Sequence, residues 1–90
     1  MNSPDSTTVD VTPADVAAWL VERIAEYREA PAAEIDTTVP LAELGLDSVY
    51  VLSLCGDVED KWGLVVEPTV AWDHPTIDAL AVHLHGEIAS

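Results

Sequence analysis

Three stretches of this 90-residue chain repeat apolar side chains at helical spacing, and each is bounded by residues that start or stop helices. The first opens at Thr12, a capping residue followed by Pro13 at the first helical position and by Asp15 at the third. Val16, Leu20, Ile24 and Tyr27, with Ala17 beside them, form one stripe, while Glu22, Arg23, Glu26 and Arg28 fall mostly off it. Pro31 blocks continuation. The second stretch begins at Asp47 or Ser48, either of which can cap a helix, and sets Val51, Leu54, Val58 and Trp62 on one face. Gly63 stands where a left-handed residue ends a helix, with Leu64 as its hydrophobic follow-on. Gly56 inside this helix costs about 1 kcal/mol relative to alanine. The third stretch opens at Pro75-Thr76 and aligns Ile77, Leu80, Ala81, Leu84 and Ile88.

What lies between them limits the architecture further. Residues 31–47 form a long connection, yet Ile35, Val39, Leu41, Leu44 and Leu46 are spread along it, so it should be pinned onto the helices. Gly45 marks a turn within it. Leu64-Val65-Val66-Glu67 has strand-like composition but no partner strand, and it reads as an extended connector ending at Pro68. Thr69 to Trp72 form one short helical turn. The expected fold is all-α: a small bundle of three main helices plus a short helical turn, with a long first loop. Residues 1–11, polar and poor in apolar side chains, read as a disordered leader, and residues 12–90 as the single domain.

Charge narrows the function. Seventeen acidic residues stand against three basic ones, a formal net charge of -14. Such a surface repels nucleic acid and anionic membranes and attracts basic patches on other proteins. No run of about 18 uncharged apolar residues is present to span a membrane. The acidic N-terminus is unlike a secretory signal. One cysteine, Cys55, cannot form an internal disulfide, which fits a reducing cytoplasm.

The chemistry centres on Ser48. Gly45-Leu46-Asp47-Ser48-Val49 sets a small hydroxyl at a helix start directly after a glycine turn, where the positive end of the helix dipole favours a phosphate esterified to it. Position alone would make Ser48 an ordinary cap. Its neighbourhood points elsewhere. Leu41-Ala42-Glu43-Leu44-Gly45-Leu46-Asp47-Ser48-Val49 resembles the phosphopantetheine attachment motif of acyl carrier proteins, and Leu46 before Asp47-Ser48 is most like the polyketide synthase type. Trp72-Asp73-His74-Pro75-Thr76 is similar to the aromatic-Asp-His-Pro-Thr element that opens the last helix of those domains. The resemblance runs over residues 13–86.

It implies a carrier without catalytic residues or a metal of its own. A phosphopantetheinyl transferase, using magnesium and coenzyme A, would place 4′-phosphopantetheine on Ser48. The arm's thiol would then carry acyl groups as thioesters among an acyl-loading ligase or acyltransferase and ketosynthase-type clients. Leu46, Asp47 and Val49 flank the attachment site and are the implied partner contacts, and Asp57, Glu59 and Asp60 add negative charge along the same helix. Polyketide carriers often have basic residues midway along this helix. Here Ser53, Cys55, Gly56 and Asp57 occupy that segment, and only Lys61 is basic. That departure suggests a discrete carrier with its own partners, the leader and an end soon after the last helix lean toward a free-standing one, and a monomer is expected.

Other residues carry weaker signals. Cys55 lies beside the apolar stripe with no adjacent histidine, which favours packing over reactivity. His83 and His85, two apart on a helix, point in different directions and make a poor metal pair. His74 belongs to the helix-opening element, Trp62 to the core stripe, and Trp19 lies off its own helix's stripe. Trp72 precedes the last helix and is a candidate neighbour for the tip of the arm. A serine hydrolase would need Gly-x-Ser-x-Gly, and a calcium-binding loop its Asp-rich pattern with a closing glutamate; neither is present. A peptidyl carrier usually shows Gly-Gly-His-Ser or Gly-Gly-Asp-Ser, which differs from Gly45-Leu46-Asp47-Ser48. A pure docking domain, with Ser48 only a cap, would leave that motif without a reason.

Overall fold

The computed structural model describes residues 11–89. Helix α1 spans Pro13–Arg28 and opens with a reciprocal capping box. The Asp15 N–H donates to Thr12 Oγ1 and the Thr12 N–H to Asp15 Oδ2, each at 3.1 Å. The helix ends at Glu29, which adopts a left-handed φ of 55° while its N–H donates back to the last turn. Val16, Leu20 and Ile24 are fully buried, as their spacing requires. Tyr27 departs from that stripe. It is 46% exposed, and Ala25 takes the buried place in the last turn.

The long connection is pinned as its aliphatics imply. It contains two 3₁₀ turns, Ala32–Glu34 and Leu41–Leu44, and Ile35, Leu41, Leu44 and Leu46 all enter the core. Its backbone is tied to the start of the last helix: the Leu41 N–H donates to the Pro75 carbonyl at 2.7 Å, and the Asp78 N–H to the Thr37 carbonyl at 3.1 Å. An isolated antiparallel bridge joins Pro40 and Thr76 at the same place. Gly45 makes the turn at φ 83°.

Helix α2 spans Ser48–Trp62 and closes on Gly63 at φ 67°. Val51, Leu54 and Val58 are buried, joined by Tyr50, which the periodicity did not select. Trp62 reaches only the edge of the core, where it meets Trp19 edge-to-face with ring centroids 4.8 Å apart. Leu64 to Glu67 run without strand pairing, as expected, into the four-residue helix α3, Val70–Asp73. Helix α4, Ile77–Ala89, is capped by Thr76, whose Oγ1 accepts the Ala79 N–H at 3.1 Å. Ile77, Leu80, Ala81 and Leu84 line its buried face, with Ile88 half-buried.

The most extensive helix contact is between α1 and α4, and the core draws side chains from all three long helices and the first connection. Val11, placed by its sequence in the leader, is partly buried against the core, and His85 Nε2 donates to its carbonyl at 2.8 Å. The rest of the expected leader, residues 1–10, lies outside the described residues.

Candidate functional site around Ser48

Two residues could cap α2, and the structure separates their roles. Asp47 is the cap: its Oδ1 accepts the Tyr50 N–H at 2.9 Å, and its carbonyl accepts the Val51 N–H at 3.0 Å. Ser48 is therefore the first residue inside the helix, and its exposed side chain has no part in starting it. The first N–H groups of a helix lack intrahelical acceptors, so an anionic ester at this position sits at a favourable pole.

The two flanks of Ser48 differ. On one side lies a groove of about 500 Å³, lined by Ser48 with Leu41, Leu46, Val51, Ala71, Trp72 and Pro75. Trp72 is 68% exposed there, an unusual setting for so large a ring, and it comes within the same groove as the serine. On the outer face Val49 is 70% exposed, with Leu52, Ser53, Gly56, Glu59 and Asp60 also exposed further along α2.

The implied partner contacts fall into three groups. Asp47, Val49, Glu59 and Asp60 are exposed, Asp47 with one carboxylate oxygen committed to the Tyr50 N–H. Leu46 is buried in the core, only 8% exposed, because the turn at Gly45 directs it inward; it shapes the groove from beneath. Asp57 is engaged within the chain. Arg23 of α1 donates to its Oδ2 from Nη2 at 2.9 Å, and this ion pair, first through its hydrogen bond and then through charge, holds the guanidinium above its ordinary pKa. Sequence reading missed this pair, since 34 residues separate its members and only the crossing of α1 and α2 brings them together.

The other titratable groups have structural places. Cys55 is half-buried beside a small apolar cavity with Val58, Val66 and Leu84, and burial pushes its thiol up, consistent with packing. His83 stacks on His74 with ring centroids 4.2 Å apart and planes 18° apart, while His85 reaches Val11. The two members of the H-x-H pair thus point apart, and the His74–His83 stack was not visible in the sequence. Among the described residues no group of three His, Cys, Asp or Glu side chains is placed to hold a metal. No helix among them is long and apolar enough to cross a membrane.

A family profile described as the phosphopantetheine attachment site matches residues 18–84. The chain is 32% identical over 88 residues to the 6-methylsalicylic acid synthase of Penicillium patulum, covering 93% of this chain and 5% of that protein. Among solved structures it resembles the acyl carrier protein LipD of Actinoplanes friuliensis, with 40% identity, a TM-score of 0.73, and coverage of 98% of this chain and 94% of that one. It also resembles a free-standing peptidyl carrier protein from an Acinetobacter baumannii secondary metabolic pathway, with 39% identity, a TM-score of 0.80, and coverage of 83% and 94%. The chain belongs to the phosphopantetheine-attachment family, and it is a carrier domain whose prosthetic group is covalent phosphopantetheine. It spans only 4–5% of the length of the polyketide synthases it matches. The site fits that group: a serine hydroxyl free of capping, at a helix start, beside an apolar groove.

Proposed function

We propose that Ser48 is the attachment residue and that the chain serves polyketide-type biosynthesis as an acyl carrier. The observation that carries this reading is the division between Asp47, which caps α2, and Ser48, whose side chain stands exposed at the adjoining position. Once attached, the group supplies a flexible arm ending in a thiol that holds acyl groups as thioesters. The chain's own residues do the rest. Asp47 secures the helix start, so the hydroxyl is presented at a fixed place. Leu46, Val51 and Trp72 offer an apolar surface on which the arm can rest between visits to partners. The tether turns each visit into a local event at high effective concentration.

The partners in this reading are a phosphopantetheinyl transferase, a loading ligase or acyltransferase, and ketosynthase-type enzymes. The exposed Val49 gives them an apolar contact, and Glu59 and Asp60 an acidic one for basic surfaces. The domain, residues 12–90, acts as a non-catalytic cytoplasmic monomer. The likeness to a peptidyl carrier protein supports a second reading, with an aminoacyl cargo.

The test is intact mass after incubation with coenzyme A and a promiscuous transferase, beside a Ser48→Ala control. A gain of one phosphopantetheine group, absent in the control, is expected; no gain on folded protein overturns the assignment of Ser48. Loading the product with acyl and aminoacyl donors then separates the two cargo readings.

A further inference from the structure

Attaching phosphopantetheine to Ser48 adds a phosphodiester anion to a chain whose formal net charge is already -14, next to the exposed carboxylate of Asp47. Three Lys and Arg side chains could offset it, and two are spent elsewhere. Arg23 is engaged with Asp57 at 2.9 Å and with Glu26 at 3.7 Å. Lys61 sits in the last turn of α2, about 20 Å along the helix from Ser48. The third is Arg28, exposed in the last turn of α1, whose guanidinium makes no ion pair or hydrogen bond among the described residues. The fold brings it to the start of α2. The Tyr27–Tyr50 stack, with centroids 3.9 Å apart, packs the last turn of α1 on the first turn of α2. Arg28 Nε lies 4.0 Å from where a side chain on Gly45 would begin, so its stem rests over the turn that leads into Asp47 and Ser48. Three residues of chain span at most about 11 Å, which holds Ser48 close to that turn.

We propose that Arg28 is a positioning residue for the arm, its guanidinium holding the phosphodiester on Ser48 together with the open N–H groups at the start of α2. The inference rests on the attachment of phosphopantetheine at Ser48. Of the first four N–H groups of α2, those of Tyr50 and Val51 are taken by Asp47, which leaves those of Ser48 and Val49 without an intrahelical acceptor. An arginine presents its donors as a fork that matches phosphate oxygens, and its charge does not titrate. The exposed side chain is free to swing from the Gly45 turn toward the ester, giving up no bond within the chain to do so. Even short of contact, its charge acts within about a Debye length, some 8 Å at physiological salt, and partly cancels the repulsion between the phosphate and Asp47. The root of the arm is thus fixed beside the helix start.

Thermal unfolding of empty and loaded carrier isolates the effect, because each variant is compared with its own empty form and any change in α1 itself cancels. Loading should raise the melting temperature of the wild type at low salt, and Arg28→Gln should shrink that rise by about 2–4 °C, as loss of one partly exposed charge contact predicts. Arg28→Lys should restore most of the rise, and Lys61→Gln, which removes the same charge at the far end of α2, should leave it whole. About 1 M salt should abolish the part that depends on Arg28. A rise in Arg28→Gln within about 1 °C of the wild type, or one that Lys61→Gln reduces equally, overturns the inference. Wild-type carrier that accepts no group at all refutes instead the Ser48 assignment on which the inference rests.

Discussion

The two long connections of this molecule look alike in composition and behave differently in the fold. Both run between helices and both hold aliphatic residues. The first sends Ile35, Leu41, Leu44 and Leu46 into the core and is tied by hydrogen bonds to the start of α4. The second, from Gly63 to Thr76, leaves Leu64, Val66, Val70 and Ala71 only partly buried, and α3 within it has no buried residue. These segments form opposite walls of the groove beside Ser48. One wall is therefore part of the core, and the other rests on it. A site built this way seats the serine beside core-packed backbone, while its far wall is held by fewer buried side chains.

The largest test of that contrast is Leu41→Ala on the fixed wall. It should cost about 2–5 kcal/mol in a denaturant titration, whereas Val70→Ala on the resting wall should cost about 1 kcal/mol or less. Equal costs would erase the distinction. Asp47→Ala, at the joint between first connection and α2, should lose about 1 kcal/mol of stability, while Ser48→Ala should lose almost none. If the serine variant proved the weaker of the two, Ser48 and not Asp47 would be the cap. Trp72→Ala should leave stability within about 0.5 kcal/mol. It should also abolish the change in tryptophan emission expected when the arm is attached, and a change persisting without Trp72 would place the arm elsewhere.

The smallest effect concerns pH. Asp36, in the fixed connection, accepts from Thr38 twice, at 2.6 Å from the hydroxyl and 2.9 Å from the N–H, and these bonds hold its carboxyl below its ordinary range. A carboxyl lowered in the folded state adds stability that is fully present above its unfolded value and is lost as pH falls through the folded one. Asp36→Asn should therefore show a shallower acid limb in unfolding experiments taken from about pH 5 downward. An unchanged limb would mean that the Asp36–Thr38 turn does not help to fasten this wall.

Much of this could be read in the chain itself, where the causes are local. The cap at Thr12, the helix starts at Asp47-Ser48 and Pro75-Thr76, the turns at Gly45 and Gly63, and the stripes of α1, α2 and α4 depend on residues within one or two helical turns of each other, though which of Asp47 and Ser48 caps α2 was left open by the sequence. The Gly-Leu-Asp-Ser motif belongs to the same class. What escaped reading depends on how helices are rotated against one another. Tyr27 and Tyr50 exchange the expected burial because α1 and α2 meet there ring to ring. The Arg23–Asp57 pair, the His74–His83 stack and the His85–Val11 bond all join residues whose proximity no periodicity encodes.

The cap at Asp47 has one more consequence. Because the fold does not rely on the Ser48 hydroxyl, esterifying it removes no bond from the folded state. On the proposed attachment at Ser48, the arm's contacts at the helix start and in the groove exist only in the folded state, so by linkage loading adds to stability and unloading returns the protein to its own reserve. A carrier with this arrangement can pass through any number of cycles, or wait unmodified, without its reserve of stability being drawn down.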